Sequence, residues 1–218
     1  MTAPMDENPI ARPKVASPPA TSKGRRSSEA FRRAAATVFA EKGFLNATVA
    51  DIAANAGRSP AAFYYHFESK EDVLVALFQD FRDAVVERAN RMFDPETGPR
   101  EQIDQLIRNF FTTYGEWLPV LTAVFQQSMV NEQFYGHWRG IRQDAVTAIR
   151  SWVVMAQRAG AGRDLDANLA ASALAAMLDG FCYVWLARDG DLEGVPFDLE
   201  RAQHTLSALC YRSLYSPP

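Results

Sequence analysis

Three closely spaced helix-start signals lie between residues 48 and 69, and they constrain the fold more than any other feature of this sequence. Thr48 is followed three residues later by Asp51, a spacing that lets a hydroxyl and a carboxylate cap a helix N-terminus reciprocally. Ser59 precedes Pro60, which suits an N-cap followed by the first helical position, and Ser69 opens a third segment. This part of the chain is therefore predicted to form short helices joined by tight turns.

The residues between these signals fit a pair of small, tightly packed helices. Ala53 and Ala56 keep the first helix slim, and Gly57 after it can adopt the left-handed conformation that a sharp turn needs. Two short helices joined by a glycine-containing turn have the layout of a helix-turn-helix, whose second helix enters the major groove of DNA. Upstream, Phe39 lies on the apolar face of a further helix that Gly43 ends.

Beyond residue 99 the helical spacing continues, and no segment has the alternation of a β-strand. The sequence therefore predicts an all-α protein of about nine helices, with an N-terminal three-helix helix-turn-helix domain and a C-terminal helical domain. The C-terminal helices are predicted over about residues 100–116, 119–129, 134–159, 166–187 and 198–215. The expected boundaries are a disordered, proline-rich tail over 1–22, a DNA-binding domain over 23–70 and a C-terminal domain over 71–218.

Positive charge is concentrated at one end of the chain. Residues 22–70 carry eight Lys/Arg and four Asp/Glu, whereas residues 71–218 carry thirteen basic and twenty acidic residues. This asymmetry favours an anionic partner at the N-terminal end. Lys23, Arg25 and Arg26 follow the tail, and they form either a flexible basic arm that contacts DNA or the end of a solubilising tail.

Four segments resemble the signature of the TetR family: residues 39–44, 48–53, 56–67 and 69–74. The similarity covers about residues 28–75, and the remainder resembles the family in length and helical character. The resemblance implies a DNA-binding transcriptional regulator, with an effector pocket and a homodimer interface in the C-terminal domain. It also implies two copies of the recognition helix on a near-palindromic double-stranded DNA operator.

The same resemblance implies roles for individual residues. Thr48 and Lys70 match phosphate-contacting positions, whereas Phe63 and Phe67 are expected in the core. Arg58 either contacts DNA or is merely exposed on the turn, and His66 is either buried or bonded to the backbone, or else contacts DNA. The predicted DNA-binding residues are Thr48, Arg58, Ser59, Ala61, Ala62, Tyr64, Tyr65, His66 and Lys70.

The C-terminal domain, where the resemblance implies an effector pocket, is rich in aromatic residues. This composition favours a largely apolar or aromatic small molecule as the effector. Plain core packing is the alternative for each of these residues. The predicted ligand-binding residues are Phe111, Tyr114, Trp117, Phe125, Met129, Phe134, Trp138 and Trp152.

The last two predicted helices carry small and apolar residues at spacings that allow close helix approach. They form either an internal helix pair or a two-fold interface, and the resemblance favours the interface. The predicted interface residues are Leu169, Ala173, Ala176, Met177, Gly180, Val184, Ala202, Leu206 and Leu209.

Other function classes find little support in the residue patterns. Phosphate-loop, nucleophile-triad and metal-ligand spacings do not occur, so neither an enzyme nor a cofactor or metal is expected. Cys182 and Cys210 are predicted to be reduced thiols in the core of a cytoplasmic protein. The apolar stretch 169–187 is interpreted as a buried helix of a soluble protein, because Asp179 and Gly180 interrupt it. The alternative function is a DNA-binding regulator or architectural protein without a small ligand, controlled by a protein partner.

Overall fold

The computed structural model describes residues 22–92 and 97–215. Within these ranges it contains nine α-helices, one π-helical turn and no β-strand, which confirms the predicted all-α fold. The helices are α1 (Ser22–Lys42), α2 (Val49–Asn55), α3 (Pro60–Tyr64), α4 (Lys70–Met92), α5 (Pro99–Glu116), α6 (Leu118–Ser128), α7 (Glu132–Arg158), α8 (Ala167–Cys182) and α9 (Leu199–Tyr215). The π-helical turn Tyr183–Ala187 continues α8 directly.

The first helix includes residues for which the sequence predicts a basic arm or the end of a tail. It begins at Ser22 and already includes Arg25 and Arg26, so these arginines lie on a helix and not on a flexible arm. Both side chains are exposed. Residues 1–21 of the predicted disordered tail lie outside the described residues. Ser22, the last residue of that tail, is the first residue of α1.

Helices α1 to α4 form a small bundle around fully buried side chains. Phe31 of α1, Ile52 of α2 and Phe63 of α3 are all inaccessible to solvent, and the rings of Phe31 and Phe63 meet edge to face at 5.4 Å. Because α2 and α3 are too short to be stable alone, this shared core is what holds them in place. Helix α1 packs against α2, α4 and α6, which joins the bundle to the rest of the chain.

The remaining helices extend this core, and a second, smaller cluster of Val153, Ala156 and Leu214 lies between α7 and α9. Helix α7 lies against α6 and α8, while α9 lies against α5. Helix α4 belongs to both parts, since it contacts α1 on one side and α6 on the other. The predicted domain boundary after residue 70 coincides with the start of α4, and the division into two domains stays a prediction.

The end of α8 is irregular. The chain widens into the π-helical turn and then bends at Gly190, whose φ of +89° suits glycine. A Cβ atom at Gly190 would lie 2.9 Å from the Trp185 ring, so a side chain there would force the ring away. The bend therefore depends on glycine for both its conformation and the space it leaves to Trp185.

Candidate nucleic-acid interface

The start of α2 is fixed by a complete capping box. The Asp51 amide donates to Thr48 Oγ1 at 3.1 Å, and the Thr48 amide donates to Asp51 Oδ2 at the same distance. Lys42 at the end of α1 donates to Asp51 Oδ1 at 2.6 Å. The hydrogen bond from Lys42, followed by those from Thr48, lowers the pKa of Asp51 to about 2. The predicted box is thus present, and the carboxylate also ties α2 to α1.

The turn between α2 and α3 has the features that the sequence predicts. Gly57 has a φ of +63°, in the left-handed region. Ser59 Oγ accepts a hydrogen bond from the Ala62 amide at 3.2 Å, and Pro60 occupies the first turn of α3. These local interactions set the angle between α2 and α3 without needing bulky side chains at the turn.

Helix α3 has one buried and one exposed face. Phe63 is fully buried and Phe67, just beyond the helix, is nearly so, as predicted. Tyr64 and Tyr65 are 58% and 83% exposed, and Ala61 is exposed at the helix start. An aromatic side chain left so open on a small helix is available to an outside partner. The outward face of α3 is therefore the candidate contact surface.

Two polar residues next to α3 have different surroundings. Arg58 is exposed and makes no ion pair within the described part of the chain, so its charge is free to meet a phosphate. His66 is half-buried, with its ring 5.8 Å from that of Phe31 and 5.1 Å from that of Tyr65. Burial, and then the charge of Arg58, lower the pKa of His66 and favour its neutral form. Through its ring contact, His66 helps to hold the Tyr65 ring in position.

Lys70, the first residue of α4, points towards the loop between α1 and α2. Its ammonium donates to the carbonyl oxygens of Phe44, Leu45 and Ala47 at 2.8, 3.2 and 3.0 Å. An ammonium has three protons, so all its donors are used by the chain itself. The phosphate contact that the resemblance implies for Lys70 would have to replace at least one of these bonds.

Thr48 is also occupied by its own helix. Its hydroxyl accepts from the Asp51 amide and is 2.8 Å from Asp51 Oδ2. In this structure Thr48, like Lys70, makes its polar contacts within the chain, beside α3.

Sequence reasoning missed Leu45, which is 65% exposed next to the buried Phe44. The signal was the pair of apolar residues directly after the helix-ending Gly43, where the core has room for one of the two.

Comparison with known families decides the identity. Residues 31–77 match the family model described as bacterial regulatory proteins, tetR family. Residues 99–214, more than half of the chain, match the model described as BetI-type transcriptional repressor, C-terminal. This chain belongs to the TetR family. It is a DNA-binding transcriptional regulator, and this family assignment agrees with the expectation that it is not an enzyme.

Similar proteins place the match in more detail. The repressor KstR2 of Mycolicibacterium smegmatis is 38% identical over 77 residues, which is 35% of this chain and 38% of KstR2. The regulator BetI of Rhizobium meliloti is 30% identical over 154 residues, covering 67% of this chain and 71% of BetI. A solved structure of a transcriptional regulator from Saccharomonospora viridis in complex with choline has a TM-score of 0.75 at 21% identity, over 88% of this chain and 99% of that one. This last likeness concerns the fold.

The predicted ligand-binding residues of this TetR-family chain do not share one environment. Phe111, Tyr114 and Phe134 are buried, whereas Met129, directly after α6, is 67% exposed, and its part in a ligand site stays a prediction. Phe125 contacts the ring of Trp138 at 5.3 Å. Trp117 lies elsewhere, against Phe81 at 5.9 Å, and Trp152 is half-buried on α7.

A charged pair lies within the aromatic region. Arg142 of α7 donates to Asp179 Oδ2 at 2.6 Å, and about a quarter of each side chain is exposed. Burial raises the pKa of Asp179 to about 6 although Arg142 opposes the shift. The Tyr114 hydroxyl senses the same carboxylate, since burial and then Asp179 raise its pKa. The aromatic middle is thus not purely apolar, which the sequence pattern did not reveal.

The predicted interface residues fall into two groups. On α8, Leu169, Ala173, Ala176 and Gly180 are exposed along one face and Met177 is half-buried, as is Val184 in the π-helical turn. On α9, Leu209 is exposed, but Ala202 and Leu206 are 8% and 2% exposed. The prediction for these two residues is wrong, because they belong to the core of their own chain, where α9 packs on α5.

Helix α8 is also apolar enough to be examined as a membrane span. Ala167–Ala187 meets the length and composition of such a span, and 22% of its most apolar window is buried within the chain. The expected burial of this helix is therefore incomplete in a single copy. Its exposed row of small residues is free to contact a second surface. Cys182, at its end, and Cys210 of α9 are buried as free thiols, and burial raises the pKa of Cys182 to about 12.

Proposed function

We propose that this regulator is a homodimeric repressor that binds a near-palindromic operator and is released from it by a small-molecule effector. The observation that carries the proposal is the outward face of α3, where Tyr64 and Tyr65 stand exposed beside the unpaired Arg58. Aromatic rings and a free guanidinium can contact base edges and phosphates, while Ala61 leaves room for the groove to approach. The proposed location is the cytoplasm, where the operator is.

A helix as short as α3 reads few base pairs, so selectivity is proposed to come from two copies. The exposed row Leu169, Ala173, Ala176 and Gly180 on α8 supports a two-fold contact, because small residues let helices approach closely. Leu209 on α9 extends the apolar surface. Two recognition helices held at a fixed spacing would match two half-sites of one operator.

The effector is proposed to bind in the aromatic middle, between α5, α6, α7 and α8. Phe125, Trp138 and Tyr183 supply apolar ring faces, and the Arg142–Asp179 pair supplies polar groups that could orient a ligand. The S. viridis regulator of the same fold is described in complex with choline, which supports a small-molecule site in such proteins. Effector and DNA would be coupled through their different affinities for two dimer arrangements.

The test starts from purified full-length protein and sheared genomic DNA of its own source. Fragments retained by the protein should share a near-palindrome, and fluorescence anisotropy with that duplex should give specific binding. Small molecules, apolar and aromatic ones first and choline among them, are then added to the complex. Release of the duplex by at least one compound is the expected result. Retention of fragments without a common motif would contradict the operator part of the proposal.

A second candidate function is a DNA-binding regulator without a small ligand, controlled by a protein partner. The packing of the middle favours it, since Phe125 already contacts both Trp138 and Tyr183 at 5.3 and 5.1 Å. A ligand there would need these rings to separate. Failure of every compound to release a well-defined operator, with release by a protein fraction, would support this candidate over the first.

A further inference from the structure

A cleft of about 530 Å³ lies where the DNA-binding bundle meets the rest of the chain. Helix α1 forms one wall, α4 contributes to the floor, and the junction of α5 and α6 forms the other wall. Its volume falls in the range of small-molecule sites, about 300–1,000 Å³. Of the predicted effector residues, Trp117 is the one that lines it.

The basic groups of the cleft have hydrogen-bonding capacity left. Arg32 Nη1 donates to Asp80 Oδ1 at 2.5 Å, but the buried Arg32 Nε has no partner among the described residues. A buried donor without an acceptor is costly, so a small shift of the Arg32 side chain that brings Nε to a ligand oxygen would be favoured. Arg33 is exposed and makes no ion pair within the described part of the chain.

The acidic groups are less available than the basic ones. Asp80 is bound to Arg32, and both oxygens of Glu116 accept from Arg88 Nη2, at 3.0 and 2.9 Å. Glu29 and Arg33 are both exposed to solvent, where their charges are screened alike. The donor capacity that distinguishes the cleft is therefore that of the Arg32 guanidinium, whose Nε has no partner among the described residues.

The opposite side of the cleft is apolar. Trp117, Pro119 and Val120 form a wall at the α5–α6 junction, and Leu77 adds to it from α4. The Trp117 ring is held by the Phe81 ring at 5.9 Å, so the wall is a firm, flat surface. A planar hydrocarbon body would bury apolar area against it.

We propose that this cleft is a second ligand site, which binds a small organic acid with a flat apolar body. The carboxylate lies at Arg32 and Arg33, and the body lies against Trp117 and Pro119. This site is separate from the effector region proposed above. Because its two walls belong to α1 and to the α5–α6 junction, an occupant bridges the DNA-binding bundle and the body of the protein.

The probe for this site is 2-naphthoate, titrated calorimetrically into the full-length protein without DNA. Saturable binding of one molecule per chain is expected. The cationic analogue 2-naphthylmethylammonium should bind at least tenfold more weakly. Equal binding of the two probes would overturn the assignment to an organic acid.

Two variants locate the binding. Thr37→Phe places a ring in the cleft from an exposed position of α1 and should weaken 2-naphthoate binding at least tenfold. Arg32→Lys keeps a positive charge beside Asp80 but removes the Nε donor. This variant should weaken 2-naphthoate binding about fivefold. The matched controls Ala148→Phe and Arg108→Lys, at exposed positions outside the lining, should bind as the wild type does.

Two results would overturn the proposal: absence of saturable binding, or binding that Thr37→Phe and Arg32→Lys leave unchanged. Circular dichroism of each variant shows whether it is folded. If Thr37→Phe is not folded, the binding result for Arg32→Lys decides the test. The experiment involves neither operator nor effector, so its failure leaves the proposed repressor function untouched.

Discussion

The ammonium of Lys70 lies 4.6 Å from the centre of the Phe44 ring and donates a 2.8 Å hydrogen bond to the Phe44 carbonyl oxygen. The residue that opens α4 thereby holds the loop that leads into α2. Lys70 thus stabilises the position of the helix-turn-helix through contacts within the chain, even though its residue type and its place in the sequence resemble those of a phosphate contact.

Replacing Lys70 by Met should therefore destabilise the protein as well as weaken DNA binding. Hydrogen bonds to a charged group contribute about 1.5–3 kcal/mol, so a loss of roughly 2 kcal/mol in the free energy of unfolding is expected in urea denaturation. All DNA sequences should be bound more weakly by a similar factor. Arg108→Met, at an exposed site on α5, is the control. Unchanged stability with a salt dependence reduced by about one phosphate would instead assign Lys70 to DNA contact.

Replacing Tyr65 by Ala should weaken DNA binding and leave the stability of the protein nearly unchanged. Since the side chain is 83% exposed, stability should change by no more than about 0.5 kcal/mol. DNA affinity should fall about tenfold, as measured by anisotropy with the selected duplex at fixed salt, if the ring contacts DNA. Tyr135→Ala, on the exposed part of α7, should leave DNA affinity as it is. An unaffected affinity for Tyr65→Ala would remove this residue from the interface.

Replacing Thr48 by Ala should lower the free energy of unfolding, measured by urea denaturation, by about 1 kcal/mol, the usual effect of losing an N-cap.

The carboxylate of Asp51, the partner of Thr48 in the capping box, should make stability depend on pH. Its pKa is lowered, so the stabilisation linked to its charge is complete above about pH 4. It is lost as the pH falls towards 2, because the carboxylate is then protonated. Denaturation of wild type and Asp51→Ala over this range should show the difference between them shrinking on acidification. A constant difference would contradict the role of the carboxylate.

The half-buried Asp179 should give a pH dependence of the other sign. Its pKa rises from 3.8 in the unfolded chain to about 6 in the folded one, so the folded state favours the protonated form. Relative to Asp179→Asn, the wild type should be most stable below about pH 4 and lose roughly 2–3 kcal/mol by pH 6–7. Parallel stability curves of the two proteins would show that Asp179 titrates normally.

Replacing Ala176 by Arg should disrupt the proposed dimer. The residue is exposed in the middle of the small-residue row of α8, where a long charged side chain would separate two closely packed helices. Sedimentation at micromolar concentration should show a dimer for the wild type and a monomer for the variant. Ala148→Arg, exposed on α7, should remain dimeric. A monomeric wild type would contradict the proposal directly.

The elements of this fold were predictable because their signals are local. The cap at Thr48, the Ser59–Pro60 start of α3 and the left-handed Gly57 each act within a few residues, and all appear in the structure as predicted. The buried and exposed sides of α3 were predictable for a related reason. Phe63 and Phe67 are four residues apart, a spacing that places them on one side, and Tyr64 and Tyr65 between them carry hydroxyl groups that tolerate water.

The assignments that failed or shifted depend on contacts distant in the chain. On α9, the residues Ala202, Leu206 and Leu209 fit one apolar pattern, and the packing of α9 on α5 decides that Leu209 alone is exposed. The carbonyl oxygens that surround Lys70 lie 23 to 26 residues away, and the partner of Asp179 lies 37 residues away. The cleft between α1 and the α5–α6 junction likewise exists only once the chain has folded.

The sequence by itself thus determined the helices, their caps and the family to which the chain belongs. These properties follow from short-range hydrogen bonds and from the periodicity of apolar residues. Tertiary structure alone decided which polar groups are already paired, which apolar faces remain uncovered and where a cavity opens. Those properties depend on which distant surfaces meet, and helical periodicity does not encode the identity of the neighbouring helix.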